Sequence, residues 1–71
     1  MNILIFKTNI NSAGEFDFVK TQLAKNRSVF DCTIDLDDRD KILRVISERL
    51  SVRQVEKKIG LLGFYCKELE D

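Results

Sequence analysis

Apolar residues change their spacing along this chain, and each change predicts an element. Met1 to Phe6 is almost continuously apolar, the pattern of a strand in the middle of a sheet. A polar segment, Lys7 to Asn11, follows it. From Ala13 to Lys25, Phe16, Val19 and Leu23 recur at helical spacing, with Lys20, Gln22 and Lys25 off that stripe. Phe18 also lies off the stripe, which suggests cover for the sheet edge. Ser12 and Glu15 form an S-x-x-E capping box: the hydroxyl can accept from the N–H of Glu15, and the carboxylate can reach back to the N–H of Ser12. Asn26 is a left-handed stop signal.

From Ser28 to Leu36 the period becomes two. Phe30, Cys32, Ile34 and Leu36 fall on one side of a strand, and Val29, Asp31, Thr33 and Asp35 on the other. Acidic residues on the outer side suit an edge strand, where charge discourages pairing with other chains. Asp37 to Asp40 is a turn without glycine, and Lys41 to Ser47 returns as the second arm of a hairpin. If Leu43 and Val45 point inward, Ile42 and Ile46 lie on the sheet face away from the helices. Ser51 to Gln54 repeats the capping box, with Leu50 placed to staple onto Val55. Val55, Ile59 and Leu62 line the buried side of this second helix, and Gly63 is a suitable residue to end it. Phe64 to Leu69 is a last short strand.

The order strand, helix, strand, strand, helix, strand makes two strand–helix–strand units joined by a hairpin. Right-handed crossovers put both helices on one face of a four-stranded antiparallel sheet, with the first and third strands central. The expected fold is a ferredoxin-like α+β sandwich, βαββαβ, occupying residues 1–71 as one domain. Its predicted core is Phe16, Val19, Leu23, Val55, Ile59 and Leu62, with Phe30 and Ile34 from the second strand. A chain of 71 residues leaves no room for a second domain and buries a thin core.

Charge and composition narrow the chemistry. Twelve basic residues balance twelve acidic ones, and no Lys/Arg cluster alternates with aromatics, so a nucleic-acid partner is not expected. No apolar run approaches the roughly 18 residues of a membrane span, and none has the flanks of a signal sequence, so the expected location is cytoplasmic, without membrane insertion. Histidine is absent, which removes the commonest general base and a common metal ligand. No nucleophile stands beside a base and no Gly-rich phosphate loop is present; neither catalysis nor a cofactor is expected. Asp35, Asp37, Asp38 and Asp40 lack the glycine and terminal Glu of a calcium loop, and fit a solvated turn. Cys32 and Cys66 have neither metal spacing nor a disulfide framework, and the topology sends their strands to opposite edges.

The exit Lys7-Thr8-Asn9-Ile10, the pair Asp35-Leu36 closing the second strand and Gly63-Phe64 opening the last occur in an order that resembles the heavy-metal-associated domains of copper chaperones and metal-pumping ATPases. The resemblance implies a site in the first loop, where that family carries M-x-C-x-x-C. Ile10 stands at the methionine position here, and Ser12 and Glu15 stand at the two cysteines. Soft monovalent copper selects thiolates, so a hydroxyl and a carboxylate do not replace them. The candidate site is therefore a degenerate, metal-free interaction loop of Asn9, Asn11, Ser12, Ala13, Gly14 and Glu15. The expected role is a small non-enzymatic binding module whose partner is another protein, or a second copy in a homodimer. A metal carrier with altered ligands and a small dimeric ligand-sensing domain are the alternatives.

Overall fold

The computed structural model describes residues 1–69. Six elements follow in the expected order: β1 (Asn2–Thr8), α1 (Ala13–Ala24), β2 (Val29–Asp35), β3 (Ile42–Ser47), α2 (Val52–Leu61) and β4 (Cys66–Glu68). The sheet is antiparallel, with spatial order β2-β3-β1-β4. The two most apolar strands, β1 and β3, are central, and the cysteine-bearing strands are at the two edges. This is the ferredoxin-like sandwich, with both helices on one face.

Alternation sorts the strand residues between the faces. Leu4 and Phe6 of β1 pair with Val45 and Leu43 of β3, and these point to the helices. Val19 and Leu23 of α1 and Val55 and Ile59 of α2 meet them in one buried cluster, with Phe16, Ile34 and Leu62 packed at its margin. Leu50 and Val55 share this cluster, as a staple requires. On the other face, Ile3 lies opposite Ile46 and is 59% exposed. Ile42, which alternation also puts on that face, is buried and not part of an exposed patch.

Phe30 departs from the predicted core. It is 58% exposed. The register between β2 and β3 jumps from Val29↔Ser47 to Asp31↔Ile46, so Phe30 is the extra residue of a β-bulge. The bulge turns Val29 inward together with Cys32 and Ile34, whereas strict alternation groups Phe30 with that pair. Phe18, off the helix stripe, is 47% exposed.

Both helix ends differ in an instructive way. Asn26 does not adopt a left-handed conformation; Lys41 is the one non-glycine residue with positive φ among the described residues. Asn26 instead uses its side-chain oxygen to accept from the N–H of Ser28, at 2.8 Å. At the end of α2, Gly63 has φ 99°, its N–H donates to the Gly60 carbonyl, and the N–H of Phe64 donates to the Ile59 carbonyl. These are the paired bonds of a Schellman ending, and Gly63 supplies the left-handed step at little cost.

Candidate functional site

β1 runs two residues further than its apolar pattern implies, because Lys7 and Thr8 pair with Lys67 and Cys66 of β4. Thr8 is buried and acts as a junction. Its N–H donates to the Asp40 carbonyl at 2.9 Å, and its hydroxyl donates to the Lys41 carbonyl at 2.7 Å. The same oxygen accepts from the N–H of Ile10 at 3.2 Å. The β1 exit is thereby tied to the β2–β3 turn. Ile10 is fully buried and anchors the loop in the core.

Asn9 makes the second tie. Its side-chain oxygen accepts from the N–H of Tyr65 at 2.8 Å, and its own N–H donates to the Tyr65 carbonyl. Tyr65 itself is about half exposed, so an aromatic ring flanks the loop. The loop, the β2–β3 turn and the α2–β4 connection thus meet at one end of the sandwich.

Ser12 is the N-cap of α1, in extended conformation, and its hydroxyl accepts from the N–H of Glu15 at 3.1 Å. The return bond differs from the expected one. Glu15 Oε1 accepts from the N–H of Asn11 at 2.7 Å, one residue earlier than a reciprocal box requires. In α2 both bonds form as expected: Gln54 N–H to Ser51 Oγ at 3.2 Å, and Ser51 N–H to Gln54 Oε1 at 2.8 Å. The carboxylate of Glu15 also places negative charge at the positive end of the α1 dipole. Ala13 and Gly14 begin the first turn with exposed backbone.

This end does not suit soft-metal binding. Ser12 and Glu15 offer hard oxygens, and both already serve the helix start. Cys66, facing Thr8 across β1 and β4, is the thiol near this end. Burial, with a smaller contribution from the Glu56 carboxylate, pushes its pKa up to about 12, which keeps it a neutral thiol. Cys32 lies in the core at the other sheet edge, and burial raises its pKa too. Both cysteines are free. Among the described residues, no group of three or more Cys, Asp or Glu side chains is gathered to hold a metal ion.

The acidic turn is held by its own side chains. Asp35 Oδ1 accepts from the N–H of Asp37 at 3.1 Å, and Asp38 Oδ1 from the N–H of Asp40 at 2.8 Å. Lys41 Nζ donates to the Leu36 carbonyl at 2.7 Å. Sequence reasoning found the loop but missed Thr8 and Tyr65 as its supports. A threonine closing an apolar strand and an aromatic two residues after a helix-ending glycine were the available signals. No described helix is long and apolar enough to cross a membrane.

No protein-family model matches the sequence, and no curated protein matches it either. Two solved structures share its shape. The yeast copper transporter domain Ccc2a, determined in apo and Cu(I)-loaded states, superposes with a TM-score of 0.84 at 20% identity, covering 100% of this chain and 99% of that one. A chain solved in work on crosstalk between Cu(I) and Zn(II) homeostasis superposes at 0.83 with 10% identity, covering 97% of this chain and 100% of that one. At these identities the likeness is one of fold: this chain has the backbone architecture of those two structures over essentially its whole described length.

Proposed function

We propose that this domain is a non-enzymatic protein-interaction module that keeps the frame of a copper domain without carrying copper in its first loop. One observation carries the reading. Ser12 and Glu15, at the positions where the resemblance places metal-binding thiolates, are engaged in hydrogen bonds that start α1. The frame at that end stays well defined because Thr8 and Asn9 tie the loop to its two neighbours. Asn11, Ser12 and Gly14 with the half-exposed Tyr65 form the contact surface offered to a partner protein. The loop's fixed shape lowers the ordering cost of such a contact.

Competition for monovalent copper against a chelator tests the reading. The natural protein is expected to leave the chelator's copper in place. Ser12→Cys combined with Glu15→Cys is expected to withdraw it, because the loop keeps the strand-to-helix geometry and α1 lowers the thiol pKa values. Copper withdrawal by the natural protein would establish the altered-ligand carrier instead. A homodimer through the free sheet face is a second reading, favoured by exposed Ile3 beside Ile46. Sedimentation at several concentrations would reveal it as a concentration-dependent mass.

A further inference from the structure

A groove of about 340 Å³ lies between the two helices, at the end of the sandwich opposite the Asn9–Glu15 loop. It is flanked by the C-terminal end of α1 and the N-terminal half of α2. Its floor is apolar, made by the buried side chains of Leu23, Leu50 and Val55. Its volume falls within the range of small-molecule sites, about 300–1,000 Å³.

The polar rim is one-sided in its chemistry. Lys25 and Lys58 are its charged residues, one from each wall, and neither has an ion-pair partner among the described residues. Asn26 and Gln54 also line it, and their side-chain oxygens are occupied. Asn26 Oδ1 accepts from the Ser28 N–H, and Gln54 Oε1 accepts from the Ser51 N–H. Each carboxamide therefore has its NH2 left to offer, so cations and donors predominate around an apolar floor. Two of the carbonyls at the end of α1 are already taken, since Gln22 and Leu23 accept from the N–H groups of Lys25 and Asn26.

We infer that this inter-helix groove binds a small monocarboxylate with a short apolar body, its head between Lys25 and Lys58 and its body on Leu23, Leu50 and Val55. A carboxylate fits better than a phosphate. Phosphate sites at helix starts draw on free backbone N–H groups; here the N–H groups of Ser51, Gln54 and Val55 are bonded within the cap, and Val52 and Arg53, which open the helix, do not line the groove. The apolar floor gives a bare anion no return, whereas a short hydrocarbon gains by covering it. The groove is remote from the interaction loop, since α1, with 12 residues, spans about 18 Å between them.

Octanoate is the probe, titrated into isotope-labelled protein and followed by NMR. The expected result is saturable shifts confined to the Leu23, Leu50 and Val55 methyls and the Asn26 and Gln54 carboxamides. Octylammonium, with the same body and the opposite charge, should produce none. Lys25→Gln with Lys58→Gln should weaken octanoate binding about tenfold, the loss of about 1.4 kcal/mol expected for two partly solvated charge contacts. Arg39→Glu, on the distant β2–β3 turn, should change nothing, and the spectra themselves report that each variant is folded. Non-saturating shifts, shifts centred on the free sheet face, equal binding of octylammonium, or equal binding of inorganic phosphate or an oligoglutamate peptide would each overturn the inference.

Discussion

Asn9 and Tyr65 hold each other by two hydrogen bonds across 56 positions of sequence, one through the Asn9 side chain at 2.8 Å and one between backbones at 3.4 Å. The pair closes the gap between the end of β1 and the start of β4, which is otherwise a three-residue strand. A short edge strand has few ladder bonds to hold it, so one side-chain bond at its entry matters more than it would in β3.

Asn9→Ala is therefore expected to destabilise the domain by about 1 kcal/mol, the net worth of a hydrogen bond plus an unpaired Tyr65 N–H. Asn9→Asp, which keeps the accepting oxygen, should recover most of that loss. Chemical denaturation checks the stability. Hydrogen exchange at Tyr65 N–H checks the cause, and should accelerate in the alanine variant and much less in the aspartate one.

Phe30→Ala is expected to cost less than about 1 kcal/mol, because an exposed ring loses little buried area. Leu23→Ala, in the core, should cost about 2–5 kcal/mol. Denaturation midpoints for the two variants test the bulge directly: equal large losses would mean that Phe30 packs inward with Cys32.

Phe30 also shows where sequence reading stops. Topology was legible because the continuous apolar run of β1, the two-residue period of β2 and the helix stripes each extend over several residues, and the two cap sites sit where Ser12 and Ser51 predict. A bulge adds one residue to one strand, and its cue lies in the pairing with Ser47 and Ile46, not in β2 itself. The same holds at the site. Ser12 and Glu15 announce a helix start locally, so the loop was found. Thr8 and Tyr65 support it through partners 33 and 56 residues away, and no local pattern encodes those pairings. The return bond of Glu15 to Asn11 rather than Ser12 is a matter of one residue's backbone path, below what a motif specifies.

Cys66 makes stability depend on alkaline pH. Its thiol pKa is raised in the folded state from 9.0 to about 12, by burial first and Glu56 second. The folded form thus keeps a proton that the unfolded form releases. The contribution is complete below pH 9, and diminishes as the pH rises from there towards 12. Between pH 8 and 10.5 the natural protein should lose more stability than Cys66→Ala, measured by denaturation midpoints under reducing conditions. Cys32 is shifted the same way and persists in both proteins, so the difference isolates Cys66. Parallel curves would mean that the thiol is more hydrated than its surroundings imply.

Lys41 occupies a left-handed conformation, φ 47°, at the turn that Thr8 grips. A side chain there costs about 1–2 kcal/mol relative to the right-handed region. Two contacts offset that cost: Lys41 Nζ to the Leu36 carbonyl, and the Thr8 hydroxyl to the Lys41 carbonyl. Three variants separate the contributions. Lys41→Ala keeps the backbone cost and loses the ammonium contact, so it should be less stable than the natural protein. Lys41→Gly removes the backbone cost while losing the same contact, and should exceed the alanine variant by about 1 kcal/mol. Thr8→Val leaves Lys41 untouched but frees its carbonyl and orphans the Ile10 N–H. It should cost about 1–3 kcal/mol, because the Ile10 N–H is buried. Only Thr8→Val should also broaden or shift the amide resonances from Asn9 to Glu15, since it alone removes the hydroxyl that bonds both the turn and the loop. If Lys41→Gly perturbs that loop as strongly, the loop takes its shape from the turn's backbone conformation and not from the Thr8 hydroxyl.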